Sequence, residues 1–200
     1  MLWVGLTGGI ASGKSTVAKI LGSFGIAVVS ADQLAHDAMA FGSEGARQVR
    51  AAFGGEVFAE DGSVDRAKLG AIVFADKSHA LRQQLESIIH PQVRIESEKA
   101  RVKFEARGDL MAVYEIPLLF EKKLEDYFDL IVTVAVSPQI QIDRLMARSG
   151  LSQQQAQDRI ASQLSQDLKV HASDFVIWND GGEHELEKQT KKIVDKILKK

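Results

Sequence analysis

Two hundred residues with 45% hydrophobic and 26% charged side chains are ordinary for one globular α/β domain with an insertion, and enough to bury a sizeable core. The formal net charge of −2 gives no general attraction to nucleic acid or anionic membranes, and the lack of cysteine excludes disulfides and thiolate metal sites. No run approaches about 20 apolar residues and no basic-then-apolar leader opens the chain, so a cytoplasmic protein with neither nucleic-acid nor membrane partner is expected.

Leu2 to Thr7 is an apolar run suited to a buried strand. Gly8-Gly9-Ile10-Ala11-Ser12-Gly13-Lys14-Ser15 follows and fits G-x-x-x-x-G-K-[ST], and Thr16 leads into the helical spacing of Val17, Ile20 and Leu21. Strand, glycine loop and helix are the context this motif requires. Its glycines let successive amides turn inward, and the helix N-terminus adds partial positive charge. The loop is therefore expected to hold a nucleoside triphosphate, with Lys14 reaching the β- and γ-phosphates and the Ser15 hydroxyl on Mg²⁺.

Gly25 closes this helix, and Ile26 to Ser30 reads as the second strand. Residues 31–109 then carry no strong strand signal. Helical patterns appear instead at Ala46 to Phe53, Asp65 to Phe74 and Ser78 to Ala106, the last with an expected break at His90-Pro91. A crossover needs far fewer residues, so a helical insertion over 41–108 is expected, a natural place for a second substrate. Leu110 to Ile116, Leu130 to Val136 and Phe175 to Trp178 complete five apolar runs. Ser137-Pro138 opens a helix, Ser152 with Gln155 has capping-box spacing and opens another through Leu164, and a last helix runs roughly from Glu183 to Leu198. The lysines of that last helix are most simply a solvated face. The pattern predicts a single α/β domain over 1–200: five strands in a mostly parallel sheet with helices on both faces.

Several side chains have two readings. Asp32 follows the second strand, where sites of parallel sheets gather; it either accepts a proton or holds Mg²⁺, or caps the next helix. Arg144 and Arg148 share one helix face after the fourth strand, and Arg159 lies beyond Ser149-Gly150, a plausible hinge; they are either lid groups over phosphates or surface residues. Asn179 follows the fifth strand, to meet a base or to make the turn Asn-Asp-Gly-Gly. His90 either contacts substrate or bonds the carbonyls that Pro91 leaves free. No Asn-Lys-x-Asp tetrapeptide points to a guanine switch.

Together these residues resemble the dephospho-coenzyme A kinase family nearly end to end. The loop from Gly5 to Ser15 is similar to that family's, with Ala11 where glycine is more usual, a change expected to cost little. Ser30-Ala31-Asp32, Asp61 to Arg66, Ile89-His90-Pro91, Pro117-Leu118-Leu119-Phe120-Glu121, Arg159-Ile160, Gln163 and Asn179 continue the likeness in order. The resemblance implies transfer of the ATP γ-phosphate, with Mg²⁺, to the ribose 3′-hydroxyl of dephospho-coenzyme A, with Asp32 as base. It implies ATP contacts from Gly8 to Thr16, Arg144, Arg148 and Asn179, and acceptor contacts from Asp32, His90, Pro117, Leu118, Leu119, Glu121 and Arg159. The 41–108 insertion would position the acceptor, a lid over 145–170 would close on the nucleotide, and the chain would act as a monomer or weak homo-oligomer. A kinase for another nucleotide and a nucleotide-gated binding module remain as alternatives.

Overall fold

The computed structural model describes residues 1–199, and the chain divides into two compact units: residues 1–30 with those from 101 onward, and Ala31–Ala100. The first unit holds a parallel sheet of β1 (Leu2–Gly8), β2 (Ala27–Ser30), β3 (Met111–Glu115), β4 (Leu130–Ala135) and β5 (Phe175–Trp178), in the order β2-β3-β1-β4-β5. All five expected strands are present, with ends shifted by a residue. Burial from both sides explains why β1, β3 and β4 read as continuous apolar runs rather than alternations, whereas the edge strands β2 and β5 are partly exposed. On one face, Val4, Leu6, Val113, Val134 and Ile177 pack with α1 (Lys14–Ser23) and α9 (Glu183–Ile197). On the other, Trp3 lies 5.7 Å from Tyr114, ring to ring, and Tyr114 lies 6.1 Å from Phe128.

The expected helix after Ser137-Pro138 is α6 (Pro138–Ser149), closed by Gly150 at φ +63°. The capping box of Ser152 and Gln155 opens α7 (Gln153–Ala161), which stops three residues before the expected Leu164. Beyond it a six-residue helix, α8 (Gln166–His171), escaped the periodicity reading because it is under two turns long.

The second unit contains α2 (Ala31–Asp37), α3 (Glu44–Phe53), α4 (Arg66–Ala75) and most of α5 (Ala80–Arg107) around a core that includes Val49, Phe53, Val57, Leu69, Val73 and Ile89. The break expected at His90-Pro91 does not occur; α5 runs 28 residues with Pro91 inside it. An interior proline costs about 3 kcal/mol. Burial of Ile89, with Leu85, Ile88 and Val93 packed against the same core, offsets that cost and holds the helix through the missing hydrogen bond.

Candidate active site

The C-terminal ends of β1, β3 and β4 open towards the loop between Gly8 and Lys14. Ser12 N–H bonds Gly9 C=O at 3.1 Å, and Thr16 N–H bonds Gly13 C=O at 3.0 Å, so the loop wraps on itself and enters α1 directly. Gly13 sits at φ +90°, and a Cβ there would overlap Asn179 Nδ2. Among the described residues, the amides of Gly13, Lys14 and Ser15 carry no bond within the protein, as the first turn of a helix requires. Three unbonded amides at a helix N-terminus are suited to an anion.

Lys14 is buried, and its Nζ donates to Glu115 Oε1 at 2.6 Å. Ser15 Oγ donates to the same oxygen at 2.7 Å. Burial pushes the Glu115 carboxyl up, but Lys14 and Ser15 more than offset this and hold it below the ordinary glutamate range. Glu115 is the residue that sequence reasoning missed. Its signal was present: a carboxylate closing an otherwise apolar strand, in register with Leu6 of β1 and Ser30 of β2. A carboxylate beside the loop's lysine and hydroxyl supplies the second oxygen donor a divalent cation needs there.

Asn179 is brought to the loop, though not as a free amide. Its Nδ2 donates to Ser12 C=O at 2.8 Å, and its own N–H bonds Ala135 C=O at 2.8 Å. Of the arginines, Arg144 on α6 is half-buried, with its Nη1 buried and unpartnered among the described residues; Arg148 and Arg159 are exposed. A buried guanidinium nitrogen without a partner is costly.

The segment after β3 divides. Pro117 and Leu118 are partly exposed, whereas Leu119 is fully buried, so close to Gly5 that a Cβ there would lie 2.7 Å from its Cδ1. Leu119 therefore packs the floor beneath the sheet rather than offering a surface. Glu121 Oε1 lies 2.7 Å from the Nζ of Lys169, which has no exposed surface, and accepts from Leu164 N–H at 3.0 Å. Burial pushes the Glu121 carboxyl up, and the Lys169 ammonium pulls it further down, to below the usual range. Asp32 is exposed in the first turn of α2, in the second unit; His90 lies on an exposed face of α5.

Ala11 departs from expectation. It adopts φ +59°, the left-handed region that glycine enters freely and alanine does not, so the alanine here costs about 1 kcal/mol rather than little.

The family model for dephospho-CoA kinase (CoaE) matches residues 2–185. The chain belongs to the dephospho-CoA kinase family. A dephospho-CoA kinase from Listeria monocytogenes is 39% identical over 196 residues, covering 98% of this chain and 97% of the relative. The crystal structure of a Thermus thermophilus protein superposes with a TM-score of 0.80 at 32% identity, covering 98% of this chain and 97% of that one. That of a Campylobacter jejuni dephospho-CoA kinase gives 0.75 at 27% identity over the same shares. As a member of the dephospho-CoA kinase family the protein is an enzyme, a phosphotransferase that uses ATP. No described helix is long and apolar enough to cross a membrane.

Proposed function

We propose that this protein transfers the γ-phosphate of ATP to the ribose 3′-hydroxyl of dephospho-CoA, giving CoA and ADP, the last step of CoA biosynthesis. The observation that supports this most is the loop itself: among the described residues the amides of Gly13 to Ser15 carry no bond within the protein, at the start of a helix whose first residue, Lys14, brings its Nζ to the end of β3. Gly8, Gly9, Ile10, Ala11, Ser12 and Thr16 complete the nucleotide cradle. The acceptor oxygen forms the new bond to γ-phosphorus while the bond from phosphorus to the β,γ-bridging oxygen breaks, and ADP leaves.

Asp32 is the base that takes the hydroxyl proton, a contribution of about 10² to 10⁴ in rate. The residues present fit Mg²⁺: the Ser15 hydroxyl and the Glu115 carboxylate are hard oxygen donors beside the loop, and both would hold it. When bound, the ion spreads the charge of the phosphate oxygens. Lys14 Nζ is held 2.6 Å from Glu115 Oε1, so phosphate binding exchanges one anionic partner for another. The 41–108 insertion positions the acceptor, with His90, Pro117 and Leu118 near it. Arg144, Arg148 and Arg159, in and beside a lid over 145–170, close on the nucleotide. Asn179 supports the nucleotide through Ser12 C=O rather than by reading the base. Glu121, engaged by Lys169 and Leu164, acts on the acceptor only through the shape of its segment.

The test is ADP production by purified protein with Mg²⁺-ATP, with and without dephospho-CoA, with mass detection of product. A gain of one phosphate on dephospho-CoA supports the reading. Turnover only with a nucleoside monophosphate would keep the loop chemistry and replace the acceptor.

A further inference from the structure

Ile10 is held from both sides. Its N–H donates to Gln163 Oε1 at 2.8 Å, and its C=O accepts from Gln141 Nε2 at 2.8 Å. The two bonds fix the peptide planes on either side of the Ile10 Cα. Gln141 is a buried residue of α6, and Gln163 lies just past the end of α7, so the two amides come from the roots of one helical segment. Gly9 is the glycine this clamp requires: a Cβ there would meet Gln141 Nε2 at 2.8 Å. Immediately downstream is Ala11, the strained left-handed residue of the loop. Strain of this kind persists only where surrounding contacts over-determine the backbone, and the Ile10 clamp supplies them.

Gln163 is itself braced. Its N–H bonds Ile160 C=O at 3.1 Å, and the next amide, Leu164 N–H, bonds Glu121 Oε1 at 3.0 Å. That same oxygen faces the buried Lys169 at 2.7 Å. An ion pair between buried Lys169 and half-buried Glu121, which the phosphate chemistry does not use, thus anchors the residue that grips the loop.

We propose that Gln163 and Gln141 are positioning residues for the nucleotide: they tie the roots of the α6–α7 segment to the phosphate loop through Ile10 and hold it in its phosphate-accepting shape. Neither amide needs to touch the nucleotide. They remove the Ile10 N–H and C=O from competition and leave the amides of Gly13 to Ser15 pointing inward. Movement of α7 is then transmitted to the loop through a single peptide.

This inference rests on the nucleotide-binding reading above, so wild-type protein is first titrated directly with ATP, beside turnover with dephospho-CoA. Binding without turnover would fail the acceptor assignment alone and leave the clamp testable by titration. Gln163→Met keeps the side-chain length and removes the acceptor; it should raise the ATP Kd about tenfold, with the KM for dephospho-CoA within about twofold of wild type. Gln141→Met attacks the other side of Ile10 from a different helix and should reproduce that split, so the test does not depend on one variant folding. Hydrogen exchange at the Ile10 amide should quicken in Gln163→Met and stay slow in Gln163→Glu, which retains an acceptor oxygen. Wild-type ATP affinity in both methionine variants would overturn the proposal. So would equal losses towards ATP and dephospho-CoA, which would mark the glutamines as packing residues.

Discussion

Asn179 and Gly13 form a pair whose energetics can be written down in advance. A methyl at Gly13 must adopt φ +90°, which costs about 1 kcal/mol relative to glycine, and it overlaps the Asn179 amide nitrogen. Asn179 must then give up its 2.8 Å bond to the buried Ser12 carbonyl, a further loss of about 1.5 kcal/mol. Gly13→Ala is therefore expected to destabilise the apo protein by about 2.5 kcal/mol, and Asn179→Ala by about 1.5 kcal/mol. In the double variant the bond is lost only once, so its cost stays near 2.5 kcal/mol instead of the additive value of about 4 kcal/mol. Thermal unfolding reads this directly: at about 3 °C per kcal/mol, Gly13→Ala and the double variant should both fall near 7 °C below wild type. A double variant near 12 °C below wild type, additive within about 0.5 kcal/mol, would refute the contact and return Asn179 to the role of a free amide available to the base.

Further predictions follow from the same geometry. Asp32→Asn should keep ATP binding by calorimetry and lose at least about a hundredfold in kcat; near-normal turnover would remove Asp32 from the base role. Arg144→Ala removes the orphaned guanidinium and should raise the ATP KM about tenfold, with unchanged kinetics marking it a bystander. Ala11→Gly relieves the left-handed strain at φ +59° and should stabilise by about 0.5 kcal/mol net of the extra chain entropy, read as a small rise in Tm. Because Lys14 and Ser15 hold the folded Glu115 carboxyl below its ordinary 4.5, its contribution is complete above that pH and is lost as pH falls through the lower folded value. The Tm gap between wild type and Glu115→Gln should be level from pH 7 to pH 5 and narrow in more acid solution; a gap that widens on acidification contradicts the assignment.

What the sequence disclosed is what local chemistry can encode. The central strands were legible because they are buried on both faces, the edge strands β2 and β5 because they are short apolar runs, and the loop because its glycines, lysine and serine are contiguous. The grips on that loop were not legible, because they span long separations: 101 residues from Lys14 to Glu115, 131 from Ile10 to Gln141, 153 from Ile10 to Gln163 and 167 from Ser12 to Asn179. Glutamine in particular has no spacing signature; on a helix it reads as solvated polarity until a backbone group is found opposite it. Pro91 misled for a related reason. Its local effect is to break a helix, and only the packing of Ile89 and its neighbours overrules it.

The strand order carries a consequence for how the chain is made. β1 lies between β3 and β4, so neither of its edges can pair until residues beyond 110 exist, whereas Ala31–Ala100 is contiguous and draws on its own interior. During vectorial synthesis the middle of the chain can condense while its first thirty residues wait without partners. Ser12 is made 167 residues before the Asn179 amide that caps its carbonyl. The loop's last support is thus in place only once the strand before Asn179 has been made.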